Sequence, residues 1–570
     1  MDVPSAYSLR PWIGQYGKHI AQSLDVPAHA NLPAMADAAV KRFSAQTAFT
    51  TVVPNGMYGS LSYAQVGEMS NAFAVYLREV LKLEAGDRVA LQMPNCLGYP
   101  VALLGILKAG CVAVNTNPLY TAAEMMHQFN DSGAKAVVVV DMFADKLQEA
   151  LPRTGVKHVV LTRVSEFFPP VVAPIVRGVM KYWNKVIPKH GLTFTALPDA
   201  LAQGRGHKMN SAAQVASYSR DLKHDSLALL QYTGGTTGVA QGAMLTHGNL
   251  LWNMAQMRAM SASHIEDGRE VVLTALPLYH IFAFTVNFLC MFSAGARNIL
   301  VPSPRPIQNL QRAIENYPIT WITGVNTLYN ALLHEEWFTA FPPKHLKAAG
   351  GGGAAMHHAV VERFEAVTGA PLVEGYGLTE SSPVVCFQPL NIKRQRDSIG
   401  IPAPMTDVRL VDDSGLDVPV GQPGELLVRG PQVMQGYWQC PAASETAMKG
   451  GWLHTGDVAV MDEHGTFRIV DRKKDMILVS GFNVYPNEIE EVLSRHPKVL
   501  EAAVVGMPDA KTGEAVVAHV VKRDASLTSE ELVAHCRTML TGYKLPARVI
   551  FRDELPKTAV GKILRRELRK

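Results

Sequence analysis

Apolar residues in the first third of the chain alternate between the two-residue rhythm of strands and the three-to-four-residue rhythm of helices. That alternation permits few architectures. Val66, Met69, Phe73 and Leu77 recur at helical spacing behind a Ser62/Gln65 capping box, and Asp87–Met93 follows as a strand. A helix near Tyr99–Lys108, a strand at Cys111–Val114, a helix opened by Thr121 with Glu124 three residues on, and a strand at Ala136–Val140 continue the series. Strand–helix–strand repeats of this kind imply parallel sheets covered by helices. At 570 residues the chain is too long for one core, so two or three domains are expected.

The last hundred residues change rhythm. A helix bearing Ile489, Val492 and Leu493 precedes strands at Ala502–Val505 and Ala515–Val521, and a second helix starts at a Thr528/Glu531 capping box. Between this compact α+β unit and the rest lies Asp471-Arg472-Lys473-Lys474-Asp475. A charge run is ordinarily a solvated face, but its place between two units favours a linker or hinge.

Composition removes several function classes. A net charge of +4 is too small to mark a nucleic-acid binder. Six scattered cysteines, without a C-x-x-C pair or a histidine at ligand spacing, indicate neither a disulfide framework nor a zinc site. They fit a reducing compartment. The chain shows no signal-peptide pattern at Met1–Ser5 and no run of about 18 apolar residues, so a cytoplasmic protein is expected. Residues 167–190 qualify this: Phe167, Phe168, Val171, Val176, Tyr182 and Trp183 interleave with Arg177, Lys181, Lys185 and Lys189. The segment either packs on its domain or rests in a bilayer interface as a peripheral contact on the cytoplasmic face of the inner membrane.

Five segments carry chemistry. Tyr232-Thr233-Gly234-Gly235-Thr236-Thr237-Gly238 closes a strand-like run, Leu227–Gln231. Its glycines let backbone amides turn toward a ligand and its hydroxyls add donors, which together suit phosphate oxygens. It is not the Walker pattern. Glu374-Gly375-Tyr376-Gly377-Leu378-Thr379-Glu380 adds an aromatic ring able to stack on a base, a hydroxyl, and a carboxylate suited to Mg²⁺. Gly350–Gly353 would let a flat ring lie on bare backbone. Asp457, in Trp452–Asp457, offers a carboxylate for both ribose hydroxyls, and Lys562 follows a glycine turn in Pro556–Lys562.

With these segments in order from about residue 40 onward, the chain resembles the adenylate-forming superfamily of acyl-CoA synthetases, luciferases and adenylation domains. It is most similar to bacterial long-chain fatty-acyl-CoA synthetases. Gly451–Asp457 through Ile469–Lys474 looks like their fatty-acid signature, and Ser480–Glu488 and Gly561–Leu568 also fit. The resemblance implies an α/β fold. A large N-terminal domain (residues 1–470) would hold helix-covered sheets and a distorted barrel, and a hinge (471–475) would lead to a small mobile α+β domain (476–570). It implies a ligase that makes acyl-CoA, AMP and pyrophosphate from fatty acid, ATP and coenzyme A through an acyl-adenylate, serving fatty-acid degradation or lipid metabolism.

Roles follow residue by residue from the resemblance. Thr233, Gly234, Gly235, Thr236, Thr237 and Gly238 would hold the β- and γ-phosphates, and Thr236 and Glu380 would bind Mg²⁺. Gly351, Gly352, Gly375, Tyr376 and Gly377 would flank adenine, with Thr379 near the α-phosphate. Asp457 and Arg472 would hold the ribose. Lys562 would bridge the acyl carboxylate and the α-phosphate, and Lys474 would be the hinge. Ser480, Gly481 and Phe482 would line the coenzyme A path, His280 would gate the acyl site, and Phe284, Val325 and Thr327 would shape the fatty-acid tunnel. The family's phosphate loop usually ends in lysine; here Gln241 stands there and brings no charge, which implies weaker ATP handling. A homodimer is compatible with the resemblance. The rival readings are a ligase that passes its adenylate to a carrier protein and a weakly catalytic acyl-binding relative. The first usually carries an insertion after the hinge, and Val470–Glu488 run without one.

Overall fold

The computed structural model describes residues 6–18, 20–233, 240–261, 264–390, 395 and 397–569. Two large sheets dominate the first four hundred residues. One has seven strands in the order Thr195–Ala196, His158–Thr162, Ala134–Val140, Arg88–Gln92, Val112–Asn115, Leu227–Thr233 and Gln241–Thr246. All its pairings are parallel except the last, which forms a hairpin. The second has nine strands, with a parallel centre running through Leu372–Gly377, Ala348–Gly352, Trp321–Gly324, Val271–Thr274, Arg297–Leu300 and Thr47–Val52. Antiparallel strands close its two edges.

In place of the expected distorted barrel, Asp407–Val411, Gly424–Arg429, Leu453–Met461 and Phe467–Arg472 form a four-stranded antiparallel sheet. Past it, Val499–Asp509, Gly513–Lys522, Ile477–Val479, Phe482–Val484 and Arg548–Arg552 make a separate five-stranded sheet. That sheet has its own core of Ile477, Ile489, Leu493, Val504, Ala518 and Leu532. The large-plus-small α/β arrangement is therefore the one expected.

Local chemistry accounts for the helix starts. Ser62 and Thr121 each accept a hydrogen bond from the backbone N–H of the third helical residue, while the side chains of Gln65 and Glu124 accept one from the cap backbone N–H. Each cap contributes about 1 kcal/mol. At Thr528 the hydroxyl accepts from the Glu531 N–H at 3.2 Å, and the Glu531 carboxylate also pairs with Lys498 at 2.9 Å.

Residues 167–190 pack on their domain along one side only. The helix Val172–Gly178 runs into a wider turn, Val179–Trp183, and buries Val176 while Phe168 covers Gly59. The opposite side leaves Tyr182 74 % and Trp183 86 % exposed. Among the described residues no helix is long and apolar enough to cross a membrane.

Candidate active site

A cavity of about 2230 Å³ lies where the carboxyl ends of the nine-stranded sheet meet the small domain. Parallel-sheet geometry forms its floor, since ligands bind beyond the carboxyl ends of such strands. Gly351 and Gly352 pair in register with Glu374 and Gly375 on the next strand. A Cβ on Gly352 would lie 2.9 Å from the Gly375 carbonyl oxygen, and one on Gly377 would collide with the Pro383 carbonyl, so these positions require glycine. Tyr376 projects from the same strand and donates from its hydroxyl to Asp457 Oδ2 at 2.6 Å. Asp457 faces Arg472 across neighbouring strands, with Arg472 Nε 3.2 Å from Oδ1. An aromatic ring, a glycine floor and a carboxylate oriented by two donors thus meet in one wall.

Thr379 opens the short turn Thr379–Ser381, which places Glu380 in the cavity wall. Its Oε1 accepts from the Tyr437 hydroxyl at 2.7 Å. Thr233 and Gln241 pair at the end of their hairpin and both line the cavity. Gly234, Gly235, Thr236, Thr237 and Gly238 lie outside the described residues.

Lys562 arrives from the small domain. Gly561, at φ 92°, lets its loop turn inward, and its carbonyl accepts from Thr327 Oγ1 at 3.0 Å. Arg305 donates to the Thr558 carbonyl at 3.3 Å, which holds the other end of the loop. The lysine runs so close to the Gly353 backbone that a Cβ there would lie 2.9 Å from Lys562 Cε. Burial lowers the ammonium group to about 8, with Arg472 adding to the effect, while Asp457 and Glu380 oppose it. His280 sits beside it, and burial followed by the Lys562 charge lowers the imidazole to about 3. Phe282 N–H donates to His280 Nδ1 at 3.3 Å, so the neutral ring carries its proton on Nε2.

Several expected positions differ. Lys474 lines the cavity rim, but Ser480, Gly481 and Phe482 are solvent-exposed and outside it; Phe482 stacks on Tyr543 at 4.7 Å. Val325 and Thr327 do line the cavity. Phe284 does not. It is fully buried against Phe288, because the wide-turned helix Ala283–Cys290 sends Phe284, Phe288 and Phe292 toward the core and presents Val286 and Cys290 to the cavity. Glu374 and Tyr437 were missed by the sequence reading. Glu374 stood in the quoted motif, but its burial is a tertiary property; nothing local marks Tyr437.

The chain matches the AMP-binding enzyme family over residues 36–438 and that family's C-terminal domain over residues 488–562. It belongs to the AMP-binding enzyme family. A long-chain-fatty-acid–CoA ligase of Yersinia pestis is 50% identical over 558 residues, which cover 98% of this chain and 97% of that protein. A ligase of the same name from Bacillus subtilis is 36% identical over 98% of both chains. Among solved structures, a benzoate CoA ligase from Burkholderia xenovorans LB400 superposes with a TM-score of 0.79 at 26% identity, covering 95% of this chain and 100% of that one. An anthranilate CoA ligase in complex with anthranoyl-AMP superposes at 0.82 with 23% identity, over 96% of this chain and 97% of that one, a likeness of fold.

In this AMP-binding enzyme Glu374 is the most perturbed carboxyl of the cavity wall. Burial raises it to about 8, against a hydrogen bond from Met356 N–H at 3.2 Å. Its folded pKa exceeds the ordinary glutamate value, so ionisation costs stability above about pH 4.5 and the cost stops growing near pH 8. Glu374→Gln keeps the acceptor and has no charge to bury. Its melting temperature should equal the parent's below pH 4.5 and exceed it by a margin that widens up to about pH 8, measured by thermal unfolding across pH.

Proposed function

We infer that the chain is a long-chain fatty acid–CoA ligase, joining a fatty carboxylate to coenzyme A with ATP through an acyl-adenylate. The observation that carries this reading is the continuity of the cavity. The space walled by Tyr376, Asp457 and Arg472 runs on past His280 and Gly350 to Val286, Met291 and Trp321, so polar nucleotide-type groups and an apolar tunnel share one chamber.

A carboxylate resists thiol attack because its charge repels nucleophiles and oxide leaves poorly. In the proposed first step a carboxylate oxygen bonds to the α-phosphorus of ATP and the bond to the β-phosphate oxygen breaks, releasing pyrophosphate. Tyr376 and the Gly351–Gly352 backbone would flank adenine, Asp457 and Arg472 hold the ribose, and Thr379 lies near the α-phosphate. Lys562 supplies the cation where charge grows, a contribution typically of about 10²–10³ in rate. By the resemblance, Glu380 and Thr236 would hold a Mg²⁺ ion, which prefers one or two carboxylates plus phosphate oxygens and would neutralise charge on the nucleotide. In the second step the coenzyme A thiolate bonds to the acyl carbon and the bond to AMP breaks. The small domain (476–570) would turn about the 471–475 hinge between steps, withdrawing Lys562 and bringing Ser480, Gly481 and Phe482 toward the thiol path.

The test is pyrophosphate release from ATP with a series of fatty acids, with and without coenzyme A. Acyl-CoA formation that peaks at long acids is expected. Lys562→Ala should lose about 10²–10³ in adenylate formation while still accepting presynthesised acyl-AMP. In the parent, kcat/KM for ATP should fall as pH rises through about 8, where the buried ammonium loses its proton. Adenylate formation without transfer to coenzyme A would indicate a carrier-protein ligase instead.

The tunnel carries its own gauge. Trp321, Thr323 and then Val325 alternate onto the cavity face, a span of about 13 Å from Val325 to Trp321. Trp321 is a fixed end: its Nε1 donates to Glu270 Oε2 at 3.0 Å, and the buried Glu270 pairs with Lys347 at 2.8 Å. Gly350 lies opposite Thr323 and has neither a left-handed backbone nor a crowded Cβ, whose nearest neighbour would be 3.8 Å away. Its bare backbone serves the width of the tunnel. Gly350→Leu should cut kcat/KM for long acids about tenfold or more and spare short ones, measured over the same series.

The exposed face of residues 171–186 supports peripheral contact with the cytoplasmic face of an anionic membrane, through Ile175, Val179, Tyr182 and Trp183 with Lys181 and Lys185 beside them. Val176 is buried and unsuitable for a test. Val179→Asp/Trp183→Ser should weaken flotation with anionic liposomes, and equal flotation of parent and variant would remove the proposal.

A further inference from the structure

Asp471 and Asp475 of the charge run at the domain boundary are drawn into an internal network, while Arg472, Lys473 and Lys474 between them are exposed. Asp471, near the end of the strand Phe467–Arg472, is completely buried. Its Oδ2 accepts from the Asn487 backbone N–H at 2.8 Å and its Oδ1 from the Arg472 N–H at 2.7 Å, with Arg565 Nη1 3.4 Å from Oδ1. Asn487 Nδ2 also donates to the Val470 carbonyl at 3.3 Å. Arg565, three residues beyond Lys562, donates to Glu490 Oε2 at 2.8 Å and to Asn487 Oδ1 at 2.6 Å. Asp475, in the hinge itself, lies 3.5 Å from Arg565 and 2.9 Å from Arg569.

These bonds divide into two sets. Asn487, Glu490 and Arg565 all belong to the small domain, so their mutual bonds survive any rigid rotation of it. The bonds to Asp471 and Val470 cross the hinge. No rotation that withdraws Lys562 can leave the second set intact, because Asn487 sits at the start of the helix Pro486–Ser494 and moves with its domain.

We propose that Asp471, read by Asn487 and Arg565, is a registration latch that fixes the small domain at the angle where Lys562 enters the cavity. It makes and breaks once per turnover. Asp471 and Arg565 are accordingly positioning residues that act through Lys562. The proposal rests on the two-step ligase reading.

The chemistry suits a latch that must open. Taking a carboxylate and a guanidinium out of water offsets much of their attraction, so such a network specifies geometry more than it adds stability. Burial raises the Asp471 carboxyl to about 6, the mark of that desolvation cost. The directional backbone N–H of Asn487 sets the angle, and the shallow net energy leaves the domain free to depart.

Two half-reactions of the full-length enzyme test this. Fatty-acid-dependent ATP–pyrophosphate exchange without coenzyme A reports the arrangement described here, and coenzyme A-dependent consumption of presynthesised acyl-AMP reports the other. Asp471→Asn cannot present acceptors to both the Asn487 N–H and Arg565. It should lower exchange about tenfold or more, while acyl-AMP consumption stays within about twofold of the parent. Arg565→Lys, which keeps a cation but loses the fork, should show the same asymmetry at smaller size and guards against a misfolded Asp471→Asn protein. Equal losses in both half-reactions, or no loss of exchange, overturn the latch. A parent chain inactive in both overturns the ligase reading instead, a distinct result.

Discussion

One ammonium group has to cross a domain boundary, and the rest of the site is arranged around that requirement. Lys562 reaches the cavity only because Gly561 turns its loop inward and Gly353 has no side chain in its path. Thr327 and Arg305 hold the loop from the large domain, so the approach is fixed at several points rather than by the lysine alone. A cation on the large domain could have been placed more simply. Carrying it on a separately folded unit makes sense if the position must be vacated, as it must where two different nucleophiles attack from one chamber in succession.

Those features of the fold set by local chemistry were legible from the sequence. Ser62 and Thr121 cap their helices with both arms of the box because neighbours three residues away are all the motif needs. Thr528 caps its helix too, although the pairing of Glu531 with Lys498, thirty-three positions earlier in the chain, has no local signal. The strand–helix rhythm likewise placed four of the parallel strands of the seven-stranded sheet to within about two residues, for burial on both faces leaves little freedom in their pattern, while His158–Thr162 and Thr195–Ala196 went unread. In the site, Tyr376, Asp457, Arg472, Glu380 and Lys562 meet in one chamber although they span nearly two hundred residues.

What failed did so for identifiable reasons. Phe284 was read as a tunnel residue from the resemblance alone, which does not carry the local helix geometry. The wide turns of Ala283–Cys290 send the aromatic ridge to the core. The run at 471–475 was read as a linker or hinge, and a one-dimensional pattern cannot reveal that Asp471 within it is fully buried. Ser480, Gly481 and Phe482 stand outside the cavity, as a segment beyond the hinge must if it serves only one of two arrangements.

Charge in the chamber is held at a cost, and that cost has a direction. Lys562 is pushed down to about 8 and Glu374 up to about 8, each chiefly by loss of water, so each is drawn toward its neutral form. A polyphosphate entering beside Lys562 would reverse this for the lysine alone, because an anion stabilises the ammonium. The same anion would push Glu374 further toward its neutral acid. The walls therefore present their cation most fully when the nucleotide is there to meet it, and they keep the nearby carboxyl from opposing the nucleotide's charge.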